Sequence, residues 1–425
     1  MNLTKSAELV LQAESKPTHL TASLEEYSEV RQAVLTEDSV ERLRARLNPW
    51  AAALLQANDH ITVKEEEISE ASQRYEEVAE RLVTKMKLPR GAVEIIPQGS
   101  VSSRTLIRSP NGGEKFDIDA VCLVEGAYVS VYKPMEFFAD VGKALEDLEL
   151  EAKKRCWQVW FANEPFYIEF TPSVRLSDLP SHVLSSMPRK FTASRYAATA
   201  LAVVDRPTQA WKTSNPQGMS QWIEDTARRK IVLDIALERH TSVHAADGVR
   251  PVPTQTVEIS DALRVAIRLF KRHRDMSVRR SIISRDAKPI SILIVTLLTS
   301  AYEGLADLGR VYHHPVHLLV ELAKLLPRLV LKLDDKWRVD NPTVEGENFA
   351  EKWNTDDGER ARAFFTWCKA LSSDLQTILA RTNSDEIMER VREVFGIPAP
   401  TAKYTDPGSS FYAAPPPTRP GRGLA

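Results

Sequence analysis

The chain has 425 residues, enough for two packed domains with extensions at roughly 150 residues per domain. Its 43% hydrophobic and 27% charged residues exclude a chain that is disordered throughout, and a formal net charge of −2 argues against extensive nucleic-acid binding over a broad basic surface. Three scattered cysteines, Cys122, Cys156 and Cys368, show neither zinc spacing nor a disulfide framework; with no apolar signal segment and no membrane-length apolar run, a cytoplasmic protein with no membrane partner is expected.

From about Leu24 to Leu88 the sequence is rich in Glu and Arg and is spaced helically, as at Val40, Leu43 and Leu47. Residues 1–88 are therefore expected to be a helical extension packing on a catalytic core. Val93-Glu94-Ile95-Ile96 reads as a strand, and Pro97-Gln98-Gly99-Ser100 as a turn that opens a helix. After the turn signal Asn111-Gly112-Gly113, the stretch Phe116 to Val124 alternates acidic with apolar residues, which puts Asp117 and Asp119 on one face of a strand. Helical spacing runs from about Met135 to Arg155, and a second strand, Phe166 to Pro172, can bring Glu169 alongside the two aspartates if the strands are neighbours. The core is assigned to 89–252, and its loop-rich end, from about Ser177 to Val252, reads as the passage between lobes.

From Asp261 onward the pattern is helical, with further helices predicted over Ile290 to Tyr302, Val316 to Leu333, Ala361 to Thr382 and Asp385 to Phe395. Residues 253–396 thus form a second lobe. The last stretch, 397–425, is crowded with Pro, Gly, Ser and Ala and reads as a flexible tail. The fold class expected is α+β and bilobal: a mixed sheet with helices, followed by an all-helical lobe.

Phosphoryl transfer from a nucleoside triphosphate needs its phosphate charge neutralised while a hydroxyl is activated for in-line attack. Mg²⁺ takes hard oxygen ligands, and three carboxylates on adjacent strands supply charge while leaving sites for phosphate and water. Asp117, Asp119 and Glu169 have that character, and the first two lie among apolar residues, where an uncompensated carboxylate is costly. Upstream, Gly99 lets the backbone approach a phosphate closely, and Ser100 can donate to it at a helix start.

At these residues, GSVSSRT, FDIDAV and IEFTP, the chain resembles the polymerase-β-like nucleotidyltransferase superfamily. More narrowly it resembles the bacterial relatives of cyclic GMP-AMP synthase, the cGAS/DncV-like nucleotidyltransferases (CD-NTases) of CBASS anti-phage signalling. Ser214 to Gly218, the helix Leu269 to Asp275, Lys288 to Ser291, and Asn341-Pro342 through Phe349 extend the likeness over about Val93 to Trp353. Two departures stand out: sixteen residues separate Ser100 from Asp117, and the third acid is Glu169 where Asp is commoner.

The resemblance implies two Mg²⁺ ions, with Mn²⁺ as a substitute, held by Asp117, Asp119 and Glu169. It implies a triphosphate between the lobes, ATP by default, bound by Gly99, Ser100, Lys271 and Ser291, and a cyclic di- or trinucleotide product. Regulatory partner proteins are implied too, as is an E1/E2-like enzyme that would conjugate the tail through Ala425.

Other features admit plainer readings. Arg264 and Arg268 share a helical stripe with Lys271 and Arg272 and read as a solvated basic face. Arg104 and Arg108 could pair with surface acids. The cluster Tyr312-His313-His314-Pro315-Val316-His317 lacks further ligands at a metal spacing and reads as a helix-end group. Trp211 and Trp222 could stack on a base or pack the lobes. Two rival functions share the three acids: a nucleotidyltransferase that modifies RNA or a small molecule, and an inactive nucleotide-sensing scaffold.

Overall fold

Alternation along two strands builds the centre of the molecule. In a computed structural model describing residues 3–16, 37–111, 113–187, 196–232, 252, 255 and 261–399, β1 (Val93–Pro97) runs antiparallel to β2 (Phe116–Val124), and β2 parallel to β5 (Phe166–Arg175). Phe116, Ile118 and Ala120 of β2 and Phe166, Ile168 and Phe170 of β5 point into the core. The intervening residues, Asp117 and Asp119 on one strand and Tyr167 and Glu169 on the other, emerge on the opposite face. β4 (Trp157–Trp160) pairs with β5, and β3 (Glu149–Ala152) with β4, both antiparallel, giving the order β1-β2-β5-β4-β3.

The segment expected to be only a passage between lobes completes this sheet. β6 (Leu201–Asp205) pairs with the end of β5, and β7 (Ala210–Ser214) with β6. Every residue of β6 is buried, and its first four residues are a continuous apolar run that lacks the alternation of a half-buried strand. Its turn also hides, because Gln209 and not glycine takes the left-handed position, at φ 52°. Residues 233–251 lie outside the described residues.

The described helices of the first 88 residues divide between two cores. Helix α1 (Lys5–Ser15) packs on the carboxy-terminal lobe, and α2 (Glu37–Ile61) joins the same lobe through Leu47, Trp50, Leu54 and Ile61. Helix α3 (Glu65–Lys85) covers the sheet instead, burying Ile68, Tyr75, Val78 and Leu82 beside Phe137 and Val141 of α5 (Pro134–Ala144). The cause is local: each helix carries its own apolar stripe, and the break at Thr62-Val63-Lys64 lets successive stripes face different cores. Between β1 and β2 lies the four-residue helix α4 (Gly99–Ser102), and between β5 and β6 the short α6 (Ser181–Ser186).

The carboxy-terminal lobe surrounds α8 (Ala262–Arg279), with α7 (Pro216–Ala227), α9 (Ser291–Asp307), α10 (Pro315–Leu325), α11 (Glu359–Leu379) and α12 (Ser384–Phe395) packed about it. The helix expected over Val316 to Leu333 stops at Leu325, two residues before Pro327, and Leu331–Leu333 instead form a hairpin strand with Lys336–Arg338. Among the described residues no helix is long and apolar enough to cross a membrane.

Three helices of this lobe meet at His273, which is fully buried. Trp367 Nε1 donates to His273 Nδ1 at 3.1 Å, and an indole can only donate, so Nε2 carries the imidazole proton and donates to Asp374 Oδ2 at 2.9 Å. Asp374 also receives Arg280 and, from α12, Arg390. Burial holds the His273 pKa below its ordinary value of 6.5, although Asp374 opposes the shift. A base whose folded pKa is depressed contributes stability that is complete above the unfolded pKa and drains as pH falls below it. The free energy of unfolding, measured by denaturant titration, is therefore expected to decline from pH 7 to pH 5, with a shallower decline in His273→Gln.

Candidate active site

The site is assembled where α4 meets β2. Gln98 N donates to the Asp119 carbonyl at 2.9 Å, fixing the end of β1 to the strand that carries the aspartates. The chain then turns at Gly99, whose φ of 65° is left-handed. A Cβ there would collide with Asp119 Oδ2 and lie 3.1 Å from its Cγ. Glycine is thus required twice over, for the turn and for the approach of backbone to carboxylate. Ser100 follows, half-exposed on the wall of a cleft of about 1070 Å³ between the sheet and the helical lobe.

In the parallel register of β2 and β5, Asp117 stands opposite Tyr167, and Asp119 opposite Glu169. Glu169, distant in sequence from the two aspartates, therefore shares one face with them. Asp119 is held in its protonated form well above the ordinary carboxylate range, first by burial, then by Asp117 and Glu169, with Lys271 opposing. Burial also raises Glu169, the Cys156 thiol opposes this by donating to Glu169 Oε2 at 3.4 Å, and Asp117 adds to the rise.

Such crowding of like charges is costly unless a cation relieves it, and three hard oxygen donors fit a divalent ion such as Mg²⁺. Among the described residues no three acidic, histidine or cysteine side chains already converge as a coordination shell. Asp117 and Asp119 line the cleft itself, whereas Glu169 sits one strand over, beside Asp119, with Cys156 at its carboxylate.

The other predicted binding residues come from the helical lobe. Lys271 lines the same cleft, where burial pushes its pKa down to about 8, helped by Arg274 and opposed by Asp117. Its Nζ donates to the Thr105 carbonyl at 2.8 Å. Ser291 opens α9 and also lines the cleft, its hydroxyl accepting from Arg274 Nη1 at 3.0 Å. Gly99, Ser100, Asp117, Asp119, Lys271 and Ser291 are thus brought to one cavity, with Glu169 adjoining it. Ala425 lies outside the described residues.

Several cleft groups escaped sequence reasoning. Arg274 is buried, bridges Pro289 O and Ser291, and pairs with Asp275, which also holds Lys288. Its signal was its place three residues after Lys271 on one helix. Tyr167 enters the cleft with Trp160 behind it, ring centroids 4.6 Å apart and the rings tilted by 37°; its signal was the two-residue step from Glu169.

The plainer readings resolve individually. Trp211 and Trp222 are buried packing residues, their indoles donating to Val131 O and Glu303 Oε2. His314 caps α10, accepting from Val316 N, and is no metal ligand set with its neighbours among the described residues. Arg104 and Arg108 pair with Glu224 and Glu67. Arg264 and Arg268, however, are not a solvated face: they are 2% and 0% exposed. The stripe that carries them faces the core lobe across the domain junction, where backbone carbonyls take the place of water.

No protein-family model matches the sequence, nor does any curated protein sequence. Solved structures do match. The CD-NTase CdnG of Bradyrhizobium diazoefficiens, solved in complex with GTP, superposes with a TM-score of 0.53 at 16% identity, over 81% of this chain and 98% of that one. CdnC of E. coli MS115-1, solved in a complex with HORMA-deltaN, gives 0.52 at 12% identity over 84% and 98%; the same enzyme solved with ATP gives 0.52 at 11% over 82% and 97%. Over most of its length the chain superposes on these CD-NTase structures: it has the CD-NTase fold.

Proposed function

We propose that the protein is a cGAS/DncV-like nucleotidyltransferase that joins nucleoside triphosphates into a cyclic di- or trinucleotide messenger for anti-phage signalling. The observation that carries this reading is the register of Asp119 against Glu169, with Asp117 on the same face, under the left-handed turn at Gly99. Asp117, Asp119 and Glu169 would hold two Mg²⁺ ions, or Mn²⁺ in their place. When bound, the metals supply charge to the phosphates and acidify the attacking hydroxyl.

The remaining work falls to the chain. The backbone at Gly99 and the Ser100 hydroxyl face the cleft where a triphosphate would lie, and Lys271 and Ser291 approach from the other lobe. A ribose hydroxyl of the acceptor attacks the α-phosphorus of the donor; a new P–O bond forms as the bond to pyrophosphate breaks, and the hydroxyl proton passes to solvent. Tyr167, with Trp160 behind it, offers an aromatic face at the cleft against which a base can stack. ATP is the expected donor.

The test is incubation of the full chain with the four ribonucleoside triphosphates and Mg²⁺, followed by phosphatase and chromatography. A phosphatase-resistant product is expected, because a ring has no terminal phosphate. Products that are all phosphatase-sensitive, or none, would overturn cyclisation, and transfer onto added RNA alone would favour the RNA-modifying alternative.

A further inference from the structure

Helix α8 meets the segment that joins the Gly-Ser turn to the aspartate strand in an unusual way. Arg264 Nε donates to the Ser103 carbonyl at 2.8 Å. Arg268 donates twice to the Arg104 carbonyl, at 3.0 and 2.7 Å. Lys271 Nζ donates to the Thr105 carbonyl at 2.8 Å. Three cations, spaced four and then three residues apart along one helix, thus take three consecutive carbonyls just beyond the end of α4. Helix ends leave carbonyls without partners, and cations there are favoured by the dipole.

Arg264 is neutralised by Asp261 and Glu224. Arg268 is different. It is 0% exposed, and its other hydrogen bonds go to Gln255 O and Thr62 Oγ1, the latter at 2.9 Å. Among the described residues none goes to a carboxylate. A buried guanidinium whose hydrogen bonds go to neutral oxygens, with Asp261 and Asp59 acting on it only through space, is a poor device for stability, since its desolvation is offset only in part. Its geometry is nevertheless exacting, because a planar fork fixes the carbonyl it grips.

What it grips leads directly to the phosphate turn. Arg104 has a left-handed φ of 56°, a conformation that persists in a non-glycine residue when its surroundings enforce it. On either side, Thr105 N donates to the Ser100 carbonyl at 2.8 Å and Ser103 Oγ to the Gly99 carbonyl at 2.8 Å. The Ser103 and Thr105 hydroxyls are themselves 2.9 Å apart. The path therefore runs from Arg268, through Arg104 and its neighbours, to the backbone of Gly99 and Ser100, against which the Asp119 carboxylate rests.

We infer that Arg264 and Arg268 are positioning residues that set the Gly99–Ser100 turn for the triphosphate, making competence of the turn depend on seating of the helical lobe. This role rests on the nucleotidyltransferase reading.

Arg268→Lys in the full chain keeps the charge but replaces the fork with a single point. Two measurements follow on this variant, on wild type, and on Leu375→Ala as a destabilised control in the helical core. In Arg268→Lys, amide hydrogen exchange is expected to quicken over residues 99–105 while β2 and β5 stay as protected as in wild type. A non-hydrolysable nucleoside triphosphate should bind about tenfold more weakly, with affinity for the matching nucleoside unchanged; Arg264→Lys should behave alike.

Exchange that is unchanged over 99–105, or raised everywhere as in Leu375→Ala, would overturn the positioning role, as would triphosphate and nucleoside affinities that fall together. If Arg268→Lys does not fold, Arg264→Lys carries the same comparison, because Ser103 is one residue from Arg104. A wild-type chain that binds no triphosphate would instead overturn the nucleotidyltransferase reading and the purpose given to the clamp with it, while the exchange arm would still show whether the cations hold the turn.

Discussion

Asp119→Asn is expected to abolish product formation, by about 1000-fold, without weakening the metal-free protein. Two opposite effects of one substitution follow from the position of this side chain. It stands beside Asp117 and Glu169 on the sheet face, and burial and both neighbours push its carboxyl well above the ordinary range. The substitution leaves a neutral amide where a third carboxylate is disfavoured in the metal-free state. The thermal midpoint in chelator should stay level or rise. Wild type should gain stability when Mg²⁺ and a non-hydrolysable triphosphate are added together, by ligand linkage, and the variant should gain far less. Activity retained in the variant, with an unaltered response to Mg²⁺, would remove Asp119 from the site.

Gly99→Ala should be nearly as damaging, for a steric reason. A side chain in the left-handed conformation costs about 1–3 kcal/mol, and here the new Cβ also meets the Asp119 carboxylate. The carboxylate must swing away or the turn must shift. A displacement of about 1 Å at a reacting centre costs roughly 100-fold in rate. The expected result is a fall in kcat of that size with a modest loss in thermal midpoint. The comparison Gly91→Ala separates the two causes: Gly91 is also left-handed, at φ 87°, but has open space around its Cβ position. It should lose stability and keep its rate. Equal kinetic losses in both variants would show that backbone strain, and not the approach to Asp119, is responsible.

Much of the site was legible because strands advertise their faces. The alternation in Phe116 to Ala120 and in Phe166 to Phe170 put the acids on one side before any pairing was known. What it could not give was the parallel register that sets Asp119 against Glu169, since register depends on contacts between segments remote in sequence. β6 escaped because it is buried on both faces, and a run of four apolar residues has no period to read.

The arginines of α8 were misjudged for a related reason. A stripe of cations at helical spacing is the mark of a solvated face, and sequence does not show that a row of backbone carbonyls lies opposite. Likewise the helical stripes of the first 88 residues were evident, but which core each would choose was not. Lys271 and Ser291 were reached through family motifs, not periodicity, and Arg274, which touches Ser291, lay inside one of those motifs without being given a role.

The central claim is that Asp117, Asp119 and Glu169 jointly bind divalent metal beneath the Gly99 turn. Crystals of the full chain soaked with Mn²⁺ and a non-hydrolysable ATP analogue, with anomalous data collected at the manganese edge, address it most directly. Anomalous peaks are expected among the three carboxylates, on the cleft side of β2 and β5, with Glu169 turned from Cys156 toward the ion. Analogue bound in the cleft with no manganese at these carboxylates, or with manganese held at other residues, would contradict it.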